Sequence, residues 1–364
     1  MAFASLRTAS FRNLRDAQVQ IQGKDIFLIG ENGQGKTNFL EALYYASYGS
    51  SFRGVRDNEL VRLGEKDCLV SVHLKDRLST NLTVLYKDGK KSISLDEKRV
   101  EDRKDLLNVA PCIVFCHEDM EFVAGPPERR RWFFDQCQSL WDPLYLEDLR
   151  NYRRVLKTRN SLFNKNSYSI SQENMVLLDA LDPQLVQYGY EIMKKRQIEA
   201  EGFSRIFEPL YQEISGLDNV SIRYAPSWKE DNPQALLAEL EQGRDKDISF
   251  GLSLSGPHRD RYIFTRKDRE FSGKASTGQR RLLALLLRIA QARIFSEKTG
   301  TPPVLLLDDV LLELDGEKRR KFLSLMPEYD QAFYTFLPEE PYKLYQKENT
   351  IVCHVNSGVL NWEA

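Results

Sequence analysis

Two different hydrophobic periods divide this chain. In residues 1–125 apolar and polar side chains alternate in short runs, the pattern of half-buried β-strands, and one helical pattern interrupts them. The tetrapeptide Lys87-Asp88-Gly89-Lys90 has the turn chemistry of a β-hairpin between two such runs. Strands are therefore predicted over residues 3–11, 19–21, 68–74, 82–86, 93–95 and 109–115.

From about residue 140 the period becomes helical. Apolar side chains fall on one face of a predicted helix at Leu149, Tyr152, Leu156 and Phe163. Asp182-Pro183 then has the form of a cap and first turn, and a second helix follows with the apolar residues Leu185, Tyr188 and Ile192. Leu178 and Leu181 join the same apolar pattern upstream. Two helices with short apolar seams predict an antiparallel hairpin arm. A helix of ~25 residues would reach ~35–40 Å, which is too short for a long coiled-coil rod.

A glycine-rich segment interrupts the strand-rich region between an apolar run at 25–29 and a helical pattern at 38–45. Strand, glycine-rich turn and helix are the parts of a phosphate-binding loop, in which backbone N–H groups and the helix N-terminus face phosphate oxygens. We expect Lys36 to reach the β- and γ-phosphates and Thr37 to ligate Mg²⁺. The segment matches G-x-x-x-x-G-K-[ST] and predicts a nucleoside triphosphate site formed by Gly30, Glu31, Asn32, Gly33, Gln34, Gly35, Lys36 and Thr37.

A second apolar run, at 304–307, ends in two carboxylates and has the form of a Walker B strand. We expect this strand to pack beside the phosphate-loop strand and to bring Asp308 to the Mg²⁺ ion. Asp309 would then lie near the γ-phosphate, where a carboxylate polarises the attacking water, so it is the candidate catalytic residue. The alternative is an acidic strand end that opens a loop. Glu313 is the next candidate for the catalytic carboxylate.

A third motif precedes a predicted helix at 280–291. Ser276, Gly278 and Gln279 form the S-x-G-Q core of the signature found in ATP-binding-cassette heads, and they predict a second phosphate site at a helix N-terminus. A plain helix cap is the alternative. Because one chain cannot easily fold its signature onto its own phosphate loop, the motif predicts a head-to-tail homodimer with two ATP molecules between the subunits. The segment 312–315 resembles the D-loop of the same heads.

The composition restricts the kinds of site that are expected, but it does not identify a chemical activity. The 364-residue chain has 52 basic and 53 acidic residues, so any polyanion site is expected as a local patch. Five cysteines without a C-x-x-C pair argue against disulfides. Cys112, Cys116 and His117 leave a metal site open, but their apolar neighbours favour a buried strand. The most apolar window, 282–290, is too short to cross a bilayer, and no signal segment is visible. A cytoplasmic protein without membrane contact is expected.

Several further segments together resemble the RecF family of bacterial DNA replication and repair proteins, over nearly the whole chain. The segment Gly125 to Asp135 resembles the family pattern G-x-P-x-x-R-R-x-[FW]-x-D. The other similar segments are Phe11-Arg12-Asn13, Ser51-Phe52-Arg53, Tyr152 to Asn160, which ends in Arg159-Asn160, and Ser255-Gly256-Pro257-His258-Arg259-Asp260.

This resemblance implies an α/β fold: a P-loop ATPase head of the ABC and SMC type, with a mixed sheet around the P-loop helix, an α-helical second lobe and a short antiparallel helical arm. The expected division is 1–125 and 300–364 for the ATPase lobe and 126–299 for the lobe with the arm and the signature. The resemblance also implies ATP and Mg²⁺ as cofactors and ATP-dependent dimerisation on single-stranded and gapped double-stranded DNA. Slow DNA-stimulated hydrolysis, recombinase loading with RecO and RecR, and support of SOS induction are implied as well.

The chain departs from the family pattern at two places. Leu312 stands where the family usually has Ser or Ala before E-L-D, and residues 333–336 match the switch strand only in part, which leaves Thr335 as the candidate γ-phosphate sensor. Two other classes of ATPase are alternatives. A transporter cassette should have L-S-G-G-Q and a Glu after Walker B, and a chromosome-organising ATPase should have a long coiled coil.

DNA contacts are expected from basic side chains on the helical lobe, although basic residues on an exposed helix are often only solvated. Helical spacing places Arg150, Arg154 and Lys157 on one stripe, which favours a surface that follows the DNA backbone. No module that reads bases is visible, so binding should depend on the form of the DNA more than on its sequence. The candidates are Arg129, Arg130, Arg131, Arg150, Arg153, Arg154, Lys157, Arg159, Lys194, Lys195 and Arg196.

Overall fold

The computed structural model describes residues 2–75, 80–163 and 170–363. The chain forms two compact units. The first contains Met1–Asp119 and Leu287–Ala364, and the second contains Met120–Leu286. The sequence-based boundaries after residues 125 and 299 stay a prediction. Within the described ranges, no helix is both long enough and apolar enough to cross a lipid bilayer.

The first unit is built on a mixed sheet whose buried strands run parallel. Strand β3 pairs in parallel with β13 on one side and β14 on the other, and only the edge strand β15 is antiparallel. The order across the sheet is β15 (Val359–Trp362), β14 (Thr350–Asn356), β3 (Asp25–Ile29), β13 (Gln331–Phe336), β12 (Val304–Leu307), β8 (Cys112–Phe115). The Walker B strand β12 was expected beside the phosphate-loop strand β3. That expectation is wrong, because β13 lies between them.

A second, antiparallel sheet belongs to the same unit and contains most of the strands predicted for the first third of the chain. Its hairpin turn at Asp88 and Gly89 has positive φ at both positions (50° and 73°), as a type I′ hairpin turn requires. The order is β2 (Ala17–Gln20), β1 (Ala2–Ala9), β4 (Cys68–Lys75), β5 (Asn81–Lys87), β6 (Lys90–Leu95), β7 (Lys98–Arg99).

Helix α1 (Lys36–Tyr48) packs against apolar side chains from both sheets of this unit. Phe39, Leu40 and Leu43 are fully buried and share one hydrophobic cluster with Leu28 of β3 and Val70 of β4. Truncating a leucine in such a core costs about 2–5 kcal/mol. This cluster therefore fixes the helix that follows the glycine-rich loop. The unit also contains helix α9 (Gly316–Ser324).

The second unit is mainly helical. A three-stranded antiparallel sheet, in the order β11 (Arg269–Glu270), β10 (Arg261–Arg266), β9 (Val220–Ala225), packs against helix α5. The hydroxyl of Ser204 on α5 bonds to both the N–H (2.8 Å) and the C=O (2.7 Å) of Ile222 on β9. The helices are α2 (Glu121–Ala124), α3 (Pro127–Trp141), α4 (Pro143–Ser161), α5 (Gln172–Ser215), α6 (Pro233–Gln242), α7 (Arg244–Phe250) and α8 (Thr277–Thr299), of which α8 continues into the first unit.

Helices α4 and α5 are antiparallel, as predicted, but α5 begins ten residues before the predicted start at Asp182-Pro183. It has 44 residues and would extend about 66 Å, so the expected length of ~25 residues is wrong. Ser171 caps its first turn, and Pro183 lies inside the helix. The helix does not start at Asp182 because this residue forms ion pairs. The Asp182 carboxylate accepts from the buried Arg159 at 2.7 Å and from Arg244 at 2.8 Å, so it does not act as a cap.

Buried charges at the centre of the second unit compensate each other. Arg196, on α5, donates to the carboxylate of Asp135 at 2.9 and 3.1 Å and to that of Asp260 at 2.8 Å. The hydroxyl of Tyr145 donates to Asp135 at 2.6 Å, and that of Tyr224 donates to Asp260. Removing one partner of such a buried pair typically costs 3–5 kcal/mol, since the other charge stays buried. The network joins α3, α4, α5 and the segment before β10.

His258 lies beside this network as a neutral ring. Burial, together with the positive charges of Arg259, Arg131 and Arg159, lowers its pKa to about 4, and the hydrogen bond to the Ser253 carbonyl opposes this shift. Its Nε2 lies 3.0 Å from the carbonyl oxygen of Ser253, which can only accept, so Nε2 carries the proton. Nδ1 then accepts from the Tyr152 hydroxyl at 2.7 Å.

Because His258 binds its proton more weakly in the folded chain, it contributes stability that is complete above pH 6.5 and is lost as the pH falls towards 4. The loss should reach about 3 kcal/mol. His258→Gln keeps a donor for the Ser253 carbonyl but does not titrate. We expect the stability difference, wild type minus variant, to decrease as pH is lowered in urea unfolding from pH 7.5 to 4. A difference that stays constant would contradict the assignment.

Candidate nucleotide site

The loop between β3 and α1 has a backbone that only glycine accommodates at several positions. Gly33 and Gly35 have φ values of 79° and 117°, and a Cβ on Gly30 would approach the carbonyl oxygen of Val355 to 2.4 Å. Helix α1 starts directly after Gly35 without a side-chain cap. Its first N–H groups therefore face the loop and provide the dipole end and donors that suit a phosphate.

Lys36 occupies the inside of this loop. Its side chain is buried, and Nζ donates to the carbonyl oxygens of Gly30 at 2.6 Å and Glu31 at 3.1 Å. An ammonium group has three donors, so one remains for a further acceptor. The loop thus holds one positive charge at a defined position beside the helix N-terminus.

Two turns outside the phosphate loop support it through hydrogen bonds. Asn13 donates from Nδ2 to the Gly33 carbonyl at 2.9 Å, and Gly358 donates from its N–H to the Gln34 carbonyl at 2.8 Å. Ser357 donates from its N–H to the Gln34 side chain at 2.6 Å. A Cβ on Gly358 would lie 1.9 Å from the carbonyl oxygen of Asn13, so these turns are in direct contact. Sequence reasoning noted Asn13 only within a family motif and gave no role to the turn at 357–358.

The Asp308 carboxylate, which follows β12, lies next to the first turn of α1. The Thr37 hydroxyl donates to Asp308 Oδ1 at 2.8 Å, and the Asp308 N–H donates to the Phe115 carbonyl at 2.9 Å. Burial and the neighbouring Asp309 carboxylate raise the pKa of Asp308 to about 6. A nearby divalent cation would remove this penalty, because it would supply the opposite charge.

The oxygens of Thr37 and Asp308 fit Mg²⁺, which prefers hard oxygen ligands and is often bound by one or two carboxylates together with nucleotide phosphates. Among the described residues, no group of three or more His, Cys, Asp or Glu side chains is arranged to hold a metal. An ion at this position would therefore take its remaining ligands from a phosphate chain and from water. These two side chains are the sequence-predicted metal ligands.

Asp309 has a strained backbone. Its φ is 52°, a left-handed value that costs a non-glycine residue about 1–3 kcal/mol and is often found at functional sites. Thr335, on β13, holds it there: the Thr335 hydroxyl accepts from the Asp309 N–H at 2.7 Å and donates to Asp309 Oδ1 at 2.8 Å. The same hydroxyl lies 3.4 Å from Asp308 Oδ1. Thr335 thus links both carboxylates, and its predicted role as a phosphate sensor stays a prediction.

A buried carboxylate on α1 was missed by sequence reasoning. Glu41 is fully buried and accepts from Arg12 Nε at 2.9 Å, from Arg12 Nη2 at 3.2 Å and from the Ser51 hydroxyl at 2.5 Å. Arg53 lies 3.8 Å from the same carboxylate and donates to the Asn38 side chain at 3.3 Å. Glu41 therefore positions two arginines beside the loop. The signal in the sequence was an acidic residue on the apolar face of α1.

The signature motif lies in the second unit and forms a reciprocal helix cap. The Ser276 N–H donates to Gln279 Oε1 at 2.8 Å, and the Gln279 N–H donates to the Ser276 hydroxyl at 3.2 Å. This is the geometry of the plain cap. Ser276 and Gly278 are nevertheless exposed, and a Cβ on Gly278 would meet no atom within 4 Å. Their predicted phosphate role stays a prediction.

The D-loop-like segment precedes helix α9. Leu312 is 40% exposed, and the Asp315 carboxylate caps α9 by accepting from the Lys318 N–H at 2.9 Å. The side chain of Glu313 lies outside the described part of the structure.

Three of the basic residues predicted to contact DNA are structural, and for these the prediction is wrong. Arg159 is fully buried between Asp182 and Asp247, Arg196 belongs to the buried network, and Arg130 is buried and donates to the Val123 carbonyl at 2.8 Å. Arg131 is largely covered, and donates to the Asp260 carbonyl at 2.7 Å. Lys195 pairs with Asp142 and Asp148. The exposed members of the set are Arg129, Arg150, Arg153, Arg154, Lys157 and Lys194.

The phosphate loop on a buried parallel strand, with the Asp308–Asp309 strand end beside it, defines a P-loop ATPase head. The family model for the RecF/RecN/SMC N-terminal domain matches residues 2–359. The DNA replication and repair protein RecF of Treponema pallidum (strain Nichols) is 42% identical over 351 residues, which cover 96% of this chain and 98% of that protein. RecF of Clostridium perfringens (strain SM101 / Type A) is 34% identical over 364 residues, covering 98% and 99%. This chain belongs to the RecF family.

Solved structures agree with this assignment and confirm the expected fold class. The recombination mediator protein RecF bound to ATP, of the RecFOR pathway, superposes with a TM-score of 0.89 at 28% identity, covering 100% of this chain and 98% of that chain. An SMC head bound to the C-terminal winged-helix domain of ScpA superposes with a TM-score of 0.57 at 16% identity, which shows the shared fold alone.

Charge pairing at Glu41 should be measurable as a coupling. Glu41→Gln leaves Arg12 without its buried counter-charge, so we expect the two substitutions Glu41→Gln and Arg12→Gln to show a coupling energy of at least about 1 kcal/mol in urea unfolding. The pair Arg99–Glu101, whose side chains are 75% and 79% exposed, is the matched control. Its cycle should give less than about 0.5 kcal/mol. Equal coupling energies for the buried pair Arg12–Glu41 and the exposed pair Arg99–Glu101 would contradict the expected stabilisation by the buried pair.

Proposed function

We propose that this chain is an ATP- and DNA-binding protein of DNA replication and recombinational repair, in which ATP binding drives homodimerisation on DNA. The observation that supports this most is the convergence of the Lys36 loop, Thr37, Asp308 and Asp309 at one edge of the parallel sheet. The full-length similarity to proteins named as DNA replication and repair proteins supports the biological role.

In this proposal the loop N–H groups of Gly33 to Thr37 and the Lys36 ammonium bind the β- and γ-phosphates of ATP. Thr37 and Asp308 would hold Mg²⁺, which when bound would neutralise charge on the phosphate oxygens. The deprotonated form of Asp308 is the ligand. Since burial and Asp309 keep its pKa near 6, nucleotide with Mg²⁺ should bind this site better at pH 7.5 than at pH 5.5.

Asp309 is proposed to orient the attacking water. Its carboxylate accepts the hydrogen bond of the water as the water oxygen forms a bond to the γ-phosphorus and the bond from the γ-phosphorus to the β–γ bridging oxygen breaks, giving ADP and phosphate. Thr335 holds the carboxylate in place at 2.8 Å. An aspartate is one methylene shorter than the glutamate of transporter cassettes, so the water is held less closely. Slow hydrolysis, stimulated by DNA, would act as a timer for the dimer.

The dimer is proposed to form when Ser276, Gly278 and Gln279 of one subunit complete the ATP site of the other. The motif is exposed at the N-terminus of the 23-residue helix α8, where the helix dipole and N–H groups favour an anion. Binding of the γ-phosphate by both surfaces explains why ATP, and not ADP, would favour the dimer.

DNA would be bound mainly through phosphates. Arg150, Arg154 and Lys157 lie exposed on α4, at spacings that place them on one stripe. Gapped and single-stranded DNA are the proposed targets, in the cytoplasm, with RecO and RecR as partners in recombinase loading and with support of SOS induction. The structural relative described in the RecFOR pathway supports these partners.

Asp309→Asn separates binding from hydrolysis. The variant keeps the size of the side chain but removes its charge, so we expect normal ATP affinity, a longer-lived dimer and hydrolysis at least ~10-fold slower, a barrier increase of about 1.4 kcal/mol. Fluorescent-nucleotide titration, a dimer-lifetime assay and steady-state phosphate release measure these three properties. Lys36→Ala is the matched variant that should lose nucleotide affinity itself. Wild-type turnover by Asp309→Asn would move the catalytic carboxylate elsewhere, with Glu313 the next candidate.

Ser276→Arg tests the dimer. The substitution adds bulk and charge at an exposed helix N-terminus, so we expect a folded monomer that binds ATP with wild-type affinity but no longer dimerises with it. Analytical ultracentrifugation with ATP and with ADP is the measurement. ATP-dependent dimers of this variant would contradict the proposed interface.

A further inference from the structure

A cleft of about 230 Å³ opens on the second unit between helices α3 and α4. We call it the Trp132 cleft. The function proposed above makes no use of it. Its lining includes Glu128, Arg131, Trp132, Tyr152, Arg153 and His258.

Trp132 is an exposed aromatic platform. Its side chain is 41% exposed, while Phe122 packs against its ring with centroids 5.8 Å apart and planes 25° from parallel. Trp132 stands at an unspecified position of the family pattern between Arg131 and Phe133, so the pattern does not explain it. A rigid indole supported from behind offers its remaining surface to a flat ligand.

Two arginines of the cleft carry positive charge, one at its solvent-exposed surface and one that is largely buried. Arg153, on α4, is 62% exposed, whereas Arg131, on α3, is 11% exposed and is held by its bond to the Asp260 carbonyl at 2.7 Å. Below them the charge of Arg196 is balanced by Asp135 and by Asp260. Arg153 Nη2 lies 3.5 Å from the Asp135 carboxylate, which Arg196 also contacts at 2.9 Å, so Asp135 is shared between the two arginines. The buried walls are therefore fixed and paired, and Arg153 is the cation of the cleft that faces solvent and can turn to a phosphate.

The cleft also contains an acceptor. The Glu128 carboxylate is 67% exposed and lies 3.1 Å from Arg131. An aromatic face, an exposed guanidinium and a carboxylate together match a nucleotide, which has a π-face, a phosphate and, on three of the four bases, an exocyclic amine. An acidic peptide would meet repulsion from Glu128. The volume is below the usual range of drug-sized ligand pockets and suits a single base.

The position of the cleft agrees with this ligand. Arg153 lies on the same helix as the exposed residues Arg150, Arg154 and Lys157, which are at most four residues away. A DNA backbone that follows these residues would bring a base to the cleft only where that base is unpaired, because a stacked and paired base does not present its face.

We propose that the Trp132 cleft holds one unpaired DNA base, stacked on Trp132, with the adjoining phosphate at Arg153. The inference rests on the proposed DNA-binding function and deepens it, since it gives the second unit a means of distinguishing gapped from fully paired DNA. Base stacking on an aromatic side chain depends little on base identity, so the preference is for unpaired DNA rather than for a sequence.

The test compares two labelled DNAs of equal length by anisotropy with ATP present: a full duplex and a duplex with a short single-stranded gap. We expect Trp132→Ala to bind gapped DNA about 5-fold or more weakly and the duplex less than 2-fold more weakly. Trp132→Phe should retain most of the gap preference. Phe250→Ala, which removes another aromatic side chain that is 67% exposed on the same unit, is the matched control and should change neither affinity.

Two further measurements keep the inference testable if Trp132→Ala does not fold. Arg153→Gln should weaken binding to gapped DNA and reduce its salt dependence by about one phosphate contact. Photocrosslinking with 5-iodouracil in the gap should label Trp132 in the wild-type protein, as mapped by mass spectrometry.

The outcomes separate the inference from the proposed function. If the wild-type protein binds neither DNA, the proposed function fails. If it binds both and Trp132→Ala retains the full gap preference, or if the crosslink maps to another residue, only the inference is overturned. Unchanged DNA binding with Trp132-dependent binding of an acidic peptide would assign the cleft to a protein ligand and would also overturn it.

Discussion

The nucleotide site depends on one constraint, the parallel pairing of the four buried strands β3, β13, β12 and β8. Strands β3, β13 and β12 run in the same direction and pair in register, so their carboxyl ends reach the same edge of the sheet. The loop after β3, Thr335 near the end of β13 and Asp308 after β12 come together for this reason. Thr37 and Asp308 are 271 residues apart in sequence, and the pairing of the strands brings them within hydrogen-bond distance.

Within this frame, the site combines buried charge with local strain. Asp308 is buried beside a second carboxylate, which raises its pKa, and Asp309 has a left-handed backbone held by a threonine of the neighbouring strand. Both features cost stability in the absence of a ligand. The hydrophobic cluster around α1 and the buried pair of Glu41 with Arg12 offset this cost, because they fix the helix from which the loop begins.

Much of this site could be predicted from the sequence because its motifs have local physical causes. The glycine spacing requires the loop geometry, and an apolar run ending in Asp308-Asp309 requires a buried strand with acidic residues at its end. The insertion of β13 between the two strands could not be predicted, since strand order depends on long-range pairing. The start of α5 was missed because Asp182 has the chemistry of a cap, and its ion pair with Arg159 appears only in the folded chain. The same limit applies to Arg130, Arg159 and Arg196, whose burial the helical spacing did not reveal.

The turn at Ser357 and Gly358 supports the phosphate loop. This contact has a consequence for the order in which the protein folds during its synthesis. Ser357 and Gln34 are 323 residues apart in sequence, yet they are hydrogen-bonded partners. During translation the loop is made early, but its outer support leaves the ribosome only after the whole second unit has been synthesised. Long-range contacts of this kind form late in folding. A nascent chain should therefore acquire its ATP affinity as one of its last steps, and ribosome-bound fragments that stop before Gly358 should not compete for nucleotide.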